Sequence, residues 1–143
     1  LTFIRPKLEH ACAVWDPYQS NLSNVLAATQ NSKARFIYSA YSYHASVTEL
    51  KQNAHLTNFA HRRKIARLCL FHKFYHHPLL KPFISPIHHT SSRTHHEKTV
   101  YPTPARKSAH LSSFFVRTPW DCNDLPNAVV LHFDPSTFRS SIE

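Results

Sequence analysis

Not one of the 143 residues is glycine. Glycine is the default wherever a backbone needs positive φ or the close approach of a phosphate. Its absence removes the usual residue for helix C′ caps, type I′ hairpins and phosphate-cradling loops. A P-loop or a Rossmann dinucleotide site is thereby excluded. What the chain offers instead is one long stretch free of both Gly and Pro, His61 to His77, reading HRRKIARLCLFHKFYHH. Ile65, Leu68, Cys69 and His72 fall on one face of a 3.6-residue helix, and Leu70 with Phe74 on another. A helix apolar on more than one side sits between neighbours. Arg63, Lys64 and Arg67 cluster in an arc of roughly 100° on its N-terminal half, where they are placed to meet an anion. Cations there oppose the helix macrodipole, which favours acids at a helix start. The competing reading is a core helix whose cationic end is simply solvated.

Other segments show helical spacing on either side. In the segment 1–18, Pro6 suits the first turn of a helix in which Leu8, Ala11, Cys12 and Trp15 share a face and which Asp16-Pro17 ends. A second helix is expected over 21–40, with Leu22, Val25, Leu26, Thr29, Phe36, Ile37 and Ala40 on one face and Ser20 or Asn21 as N-cap. Ser46-Val-Thr-Glu49 matches a capping box ahead of a thin stripe of Val47, Leu50 and Ala54, and Thr57 or Asn58 caps the central helix. From Pro78 to His110 the periodicity is lost among Pro, Ser, Thr, Lys, Arg and paired His, which reads as a long basic loop. Ser113-Phe-Phe-Val-Arg-Thr118 has strand composition, and Pro119 begins a helical turn. Asn123 to Pro126 is turn-like, and Asp134-Pro135 starts a capped terminal helix. The fold expected is mainly α: a small helical bundle with a long basic His/Pro-rich loop and a short strand-like segment near the C-terminus. Its regions would be a helical part over 1–77, the loop over 78–110 and an extension over 111–143.

Chemistry is constrained more by what is scarce. The chain has 17 Lys and Arg against 8 Asp and Glu, a net charge of +9 that favours polyanions. Three cysteines far apart in sequence argue against a disulfide scaffold and for a reducing compartment. No apolar run approaches the roughly 18 residues of a membrane span, and no signal-peptide pattern opens the chain. An intracellular site, nucleus or cytoplasm, is expected. The chain lacks Met, so its start reads as a cut through a longer protein. Among 13 His, the pairs His76-His77, His88-His89 and His95-His96 stand out, and His72 and His76 share a helical face. No Cys pair or His-Glu-x-x-His completes a zinc pattern, so solvated His is the expectation and no metal site is assigned. Asp16, Asp121, Asp124 and Asp134 are scattered, whereas two-metal chemistry needs clustered carboxylates. No nucleophile elbow exists. No catalytic residue, cofactor or small-molecule substrate is expected for this chain. Nucleic-acid contact is the positive hypothesis: Arg62, Arg63, Lys64, Arg67 and Lys73 on the helix, with Arg93, Lys98, Arg106 and Lys107 in the loop, would track a phosphate backbone. Tyr75, Tyr101, Phe114 and Phe115 would supply stacking, against the alternative that Phe114 and Phe115 are core.

A family resemblance covers nearly the whole chain. Arg5-Pro-Lys-Leu-Glu-His-Ala-Cys-Ala-Val-Trp-Asp-Pro17 resembles the RPxLEYAxxVWDP stretch of LINE-type (non-LTR) retrotransposon reverse transcriptases, especially the jockey-like elements. Ala34-Arg-Phe-Ile37 resembles AARFI. Ser46-Val-Thr48 precedes a loose match to Leu-x-x-Arg-Arg over Phe59 to Arg63, followed by Arg67-Leu68 and Phe71-His-Lys73. Ser113 to Thr118 resembles SFFPRT, Asn123-Asp-Leu-Pro126 resembles WNxLP, and Phe138-Arg139 the closing helix. The resemblance implies the thumb and the region after the palm, a helical part that helps hold template RNA and primer DNA. Arg62 and Arg63 match the family's Arg-Arg pair and Arg117 the Arg of SFFPRT. The Tyr-x-Asp-Asp motif that binds the polymerase's divalent metal, Mg, is not in this sequence, so no catalytic role carries over. Cys122 stands where the family has the Trp of WNxLP, a departure that suggests a degenerate copy. The alternative function is a stand-alone basic module that binds nucleic acid or protein without enzymatic activity. A His-rich metal-binding protein is a third class, and it would need tight zinc binding at neutral pH.

Overall fold

The computed structural model describes residues 9–86, 96 and 98–143. Among them the regular structure is helical: α1 (Cys12–Trp15), α2 (Ser20–Ile37), α3 (Val47–Asn53), α4 (Phe59–His76), α5 (Ser108–Leu111), α6 (Phe114–Asn123), α7 (Asn127–Val130) and α8 (Pro135–Ile142), with a 3-10 turn at Lys81–Phe83. No described helix is long and apolar enough to cross a membrane. The chain divides into two compact units, Asp16–Arg63 and Leu1–Trp15 with Lys64–Glu143, so the division falls within α4. Most of the basic loop's centre, including His88, His89 and His95, lies outside the described residues.

In the Asp16–Arg63 unit, α2 packs on α3. Two helix starts follow from local chemistry. The Ser46 hydroxyl accepts from the Glu49 N–H at 3.4 Å, and Asn58 Oδ1 accepts from the Ala60 N–H at 2.9 Å. At α2 the expected cap gives way. Gln19 holds the N-cap position without a side-chain capping bond, and Asn21 Oδ1 accepts from the Leu22 N–H next to it.

The buried face of α2 is also not the apolar stripe. Gln30 and Ala34 are buried, while Leu22, Val25, Phe36 and Ile37 are exposed. Gln30 turns inward because its amide donates to the Thr57 carbonyl at 2.7 Å, and the small Ala34 permits close approach. α3, with its thin stripe, covers little more.

The missing glycines leave a mark here. Helices α2 and α3 both end in a Schellman-type closure. The Ser39 N–H donates to Phe36 O and Ala40 N–H to Arg35 O, and likewise His55 N–H to Gln52 O and Leu56 N–H to Lys51 O. The left-handed residue that such a closure needs is Ser39 (φ 49°) and His55 (φ 49°), where a Cβ costs about 1–2 kcal/mol.

In the other unit, α4 is the central element. Leu68 and Phe71 meet Ile84, Val100, Cys122 and Phe138 in a single apolar cluster, with Phe74, Phe114 and Leu125 packed at its margin. The strand expected at Ser113–Thr118 is a helix. Val116, Pro119 and Cys122 recur at three-residue spacing and are all buried on α6, and no strand among the described residues pairs with this segment. Pro119 therefore sits inside the helix instead of opening one.

Part of the loop is anchored rather than solvated. Pro86 and Val100 form an isolated antiparallel bridge. The side chain of Asn123 completes it like a third strand: its Oδ1 accepts from the Val100 N–H at 3.0 Å and its Nδ2 donates to the Val100 carbonyl at 2.8 Å. Asp134 caps α8 by accepting from the Thr137 N–H at 2.9 Å, ahead of Pro135 in the first turn. Hydrogen bonds from Ser136 and Thr137 hold that carboxyl down at about 2. Cys12, Cys69 and Cys122 are all thiols.

Candidate nucleic-acid interface

The basic residues of α4 do not share one fate. In the Asp16–Arg63 unit, Arg63 is buried and its Nε donates to Asp16 Oδ1 at 2.5 Å, with 5% and 8% of the two side chains exposed. Arg62 is half-buried and reaches Thr57 Oγ1 at 3.4 Å. In the other unit, one carboxylate from α6 gathers two cations from α4. Arg67 Nη2 donates to Asp121 Oδ2 at 2.7 Å, and Lys64 Nζ lies 3.0 Å from Oδ1. Arg67 is almost wholly buried, whereas Lys64 keeps 45% of its side chain exposed.

A buried guanidinium is expensive unless its hydrogen bonds are met, so the carboxylates decide its direction. Both partners lie far away in the chain, which is why the spacing of the basic residues could not reveal them. Of the remaining predicted contacts, Lys73 in the last turn of α4 is exposed, and Arg117 on α6 is half-buried. Arg106 and Lys107, at the start of α5, are exposed. Arg93 lies outside the described residues.

The aromatics expected to stack also separate. Phe114 packs against Phe71 and Phe74, with ring centroids 6.3 and 5.8 Å away. Phe115 is 41% exposed, and its ring meets Phe74 edge-on at 5.5 Å. Tyr75 is half-buried and Tyr101 exposed.

On α4, His61 is exposed, whereas His72 and His76 turn toward the core. Phe71, His72, Tyr75, His76, Lys98 and Cys122 surround a cavity of about 20 Å³, room for a single water. His72 Nε2 donates to the His132 carbonyl at 2.9 Å, and its ring stacks on Phe138 at 4.4 Å. His76 packs edge-on to Phe133 at 4.8 Å. The Lys98 ammonium donates to the Val130 carbonyl at 3.0 Å and lies 3.5 Å from His76 Nε2. His96, expected to be solvated in the loop, is buried, and its Nε2 donates to the Cys122 carbonyl at 3.0 Å. Among the described residues no group of three or more His, Cys, Asp or Glu is placed to hold a metal ion.

Burial governs the titration of this cluster. It pushes the Cys122 thiol up to about 12 and lowers His72. It also takes His76 down to about 4, with the neighbouring His72, Lys98 and Lys81 acting in the same direction. A histidine that is harder to protonate when folded makes the unfolded state the stronger proton binder. Its contribution to stability is therefore complete above about pH 6.5 and is lost as the pH falls toward 4. Urea midpoints of the chain are expected to fall over that interval, and to fall less in a His76→Gln variant. Parallel profiles for the two proteins would contradict the assignment.

Comparison with protein-family models, with curated proteins and with solved structures returns no match.

Proposed function

We propose that the chain is the non-catalytic, thumb-side part of an RNA-directed DNA polymerase of a LINE-type retrotransposon, where it helps hold template RNA and primer DNA. The ordered series of motifs from Arg5 to Arg139 supports the family, and the charge supports the ligand. The observation that carries the reading is the charge left over after internal pairing. Asp16, Asp121 and Glu143 are occupied by Arg63, by Arg67 with Lys64, and by Arg139. Lys73, Arg106 and Lys107, with Lys81, then stand exposed on the Lys64–Glu143 stretch. A net charge of +9 suits a phosphate backbone. No step of polymerisation is assigned to a residue of this chain.

The test is a salt titration of binding to an RNA–DNA primer–template duplex. The parent chain should lose affinity steeply with salt. Charge reversal at Lys73, Arg106 and Lys107 together should weaken binding and reduce the slope of log K against log salt by about one for each cation that contacts phosphate. An unchanged slope in the triple variant would remove these residues from the interface. Absence of salt-dependent binding by the parent would end the proposal.

A further inference from the structure

The end of α2 and the loop behind it present a run of aromatic rings to solvent. Phe36 is 74% exposed, Tyr38 42%, Tyr41 66% and Tyr43 95%. Single exposed aromatics are ordinary, but four exposed rings within eight residues are a concentration that suits a binding surface. The loop that carries them is held in shape. The chain leaves α2 through the left-handed Ser39, with the Ala40 N–H donating to Arg35 O at 3.0 Å. The Arg35 guanidinium then reaches across the turn, and its Nη1 donates to the carbonyls of Ala40 at 3.4 Å and Ser42 at 3.1 Å. The Ser42 carbonyl accepts from the Ala45 N–H, and its hydroxyl from the His44 N–H. Tyr43 itself is braced by the His44 ring, edge-on at 5.7 Å.

The surroundings are cationic. Residues 33–51 contain Lys33, Arg35 and Lys51 against Glu49 alone. Arg35 Nη1 is bound to carbonyls, which leave its charge uncancelled. A pinned loop with splayed rings and excess positive charge fits a ligand that alternates flat π-faces with anionic links. We propose that Phe36, Tyr38, Tyr41 and Tyr43 form a stacking platform for the unpaired bases of single-stranded RNA or DNA. Each base offers a π-face to a ring, and the phosphates between bases meet the local positive charge. A duplex keeps its bases stacked on one another and cannot use the rings. The platform goes beyond the duplex-holding reading, since it rests on other residues and takes another form of nucleic acid.

The experiment measures fluorescence anisotropy of the whole chain with labelled oligo(dT), oligo(U), an abasic strand of equal length and an RNA–DNA duplex. Tyr41→Ala with Tyr43→Ala should bind the base-bearing strands roughly tenfold or more weakly, the scale of lost base–aromatic stacking. The salt slope should not move, because no phosphate contact is removed. Tyr41→Phe with Tyr43→Phe should restore affinity to within about twofold, since the ring stacks without its hydroxyl. The abasic strand should bind parent and Ala variant alike, and more weakly than oligo(dT) binds the parent. These tyrosines are exposed, and an unchanged circular dichroism spectrum would show the variants folded.

Equal affinity of parent and Ala variant for the base-bearing strands would overturn the platform and leave a protein partner as the occupant of the loop. So would equal affinity of the parent for abasic and base-bearing strands. The duplex arm separates the two proposals. Loss of duplex binding in the Lys73, Arg106 and Lys107 variant with the tyrosine effect absent sinks only the platform, and the reverse sinks only the duplex grip.

Discussion

Replacing Asp16 by Asn is expected to destabilise the Asp16–Arg63 unit by about 3–5 kcal/mol, the cost of leaving one member of a buried ion pair without its counter-charge. The geometry makes the case a severe one. Arg63 and Asp16 meet at 2.5 Å with almost none of either side chain exposed, so water cannot take over the guanidinium. A segment of this length has an expected stability of roughly 2–7 kcal/mol, so the substitution brings the unit close to unfolding at room temperature. Tyrosine emission and circular dichroism would follow it, because Tyr18, Tyr38, Tyr41 and Tyr43 lie in this unit whereas Trp15 and Trp120 lie in the other. Asp16→Leu combined with Arg63→Met should recover much of the loss, since apolar groups of similar size often replace a buried pair without penalty. A single Asn variant within about 1 kcal/mol of the parent would show the pair to be solvated in solution.

Phe71→Ala is expected to cost about 3–5 kcal/mol in the other unit. Phe71 is 2% exposed and joins α4 to Ile84, Val100, Cys122 and Phe138. It also lines the small cavity beside His72 and His76, so truncation enlarges an existing void. The surrounding groups are held by specific bonds, including His72 to His132 and Asn123 to Val100, which limits their collapse into the space. At roughly 2–4 °C per kcal/mol for a chain near this size, the melting temperature should fall by about 10 °C, read from Trp120 emission. Phe71→Leu, which keeps most of the volume, should cost less than about 1.5 kcal/mol. A melting point unchanged by the Ala substitution would mean that the cluster is not the core of the folded chain.

Helix positions were largely legible because they rest on neighbours in the chain. Ser46, Asn58 and Asp134 bond backbone groups two or three residues ahead, and such contacts are visible in a short window of sequence. The misreading at Ser113–Thr118 arose where composition and spacing disagreed. β-Branched and aromatic residues suggested a strand, while Val116, Pro119 and Cys122 already stood at helical intervals. Strand preference acts through a pairing partner, and among the described residues none pairs with this segment. Phe36 reads from the sequence as part of the second helix's apolar face, although four rings between Phe36 and Tyr43 are a signal in themselves.

The sequence by itself determined that the chain is mainly helical, where the helices after Ser46, Asn58 and Asp134 start, that the chain is strongly cationic, and that phosphate-cradling loops of the glycine-rich kind are ruled out. Only the tertiary structure decided which faces are buried and which charges are spent inside. Arg63, Arg67 and Lys73 are all cations of one helix, yet the first two meet Asp16 and Asp121 while Lys73 faces solvent. The same holds for the inward Gln30 and the buried His96, each fixed by a carbonyl distant in the chain. The physical reason is that a polar group's burial depends on whether a partner meets it after folding, and that partner is set by packing between elements, not by the spacing of residues within one.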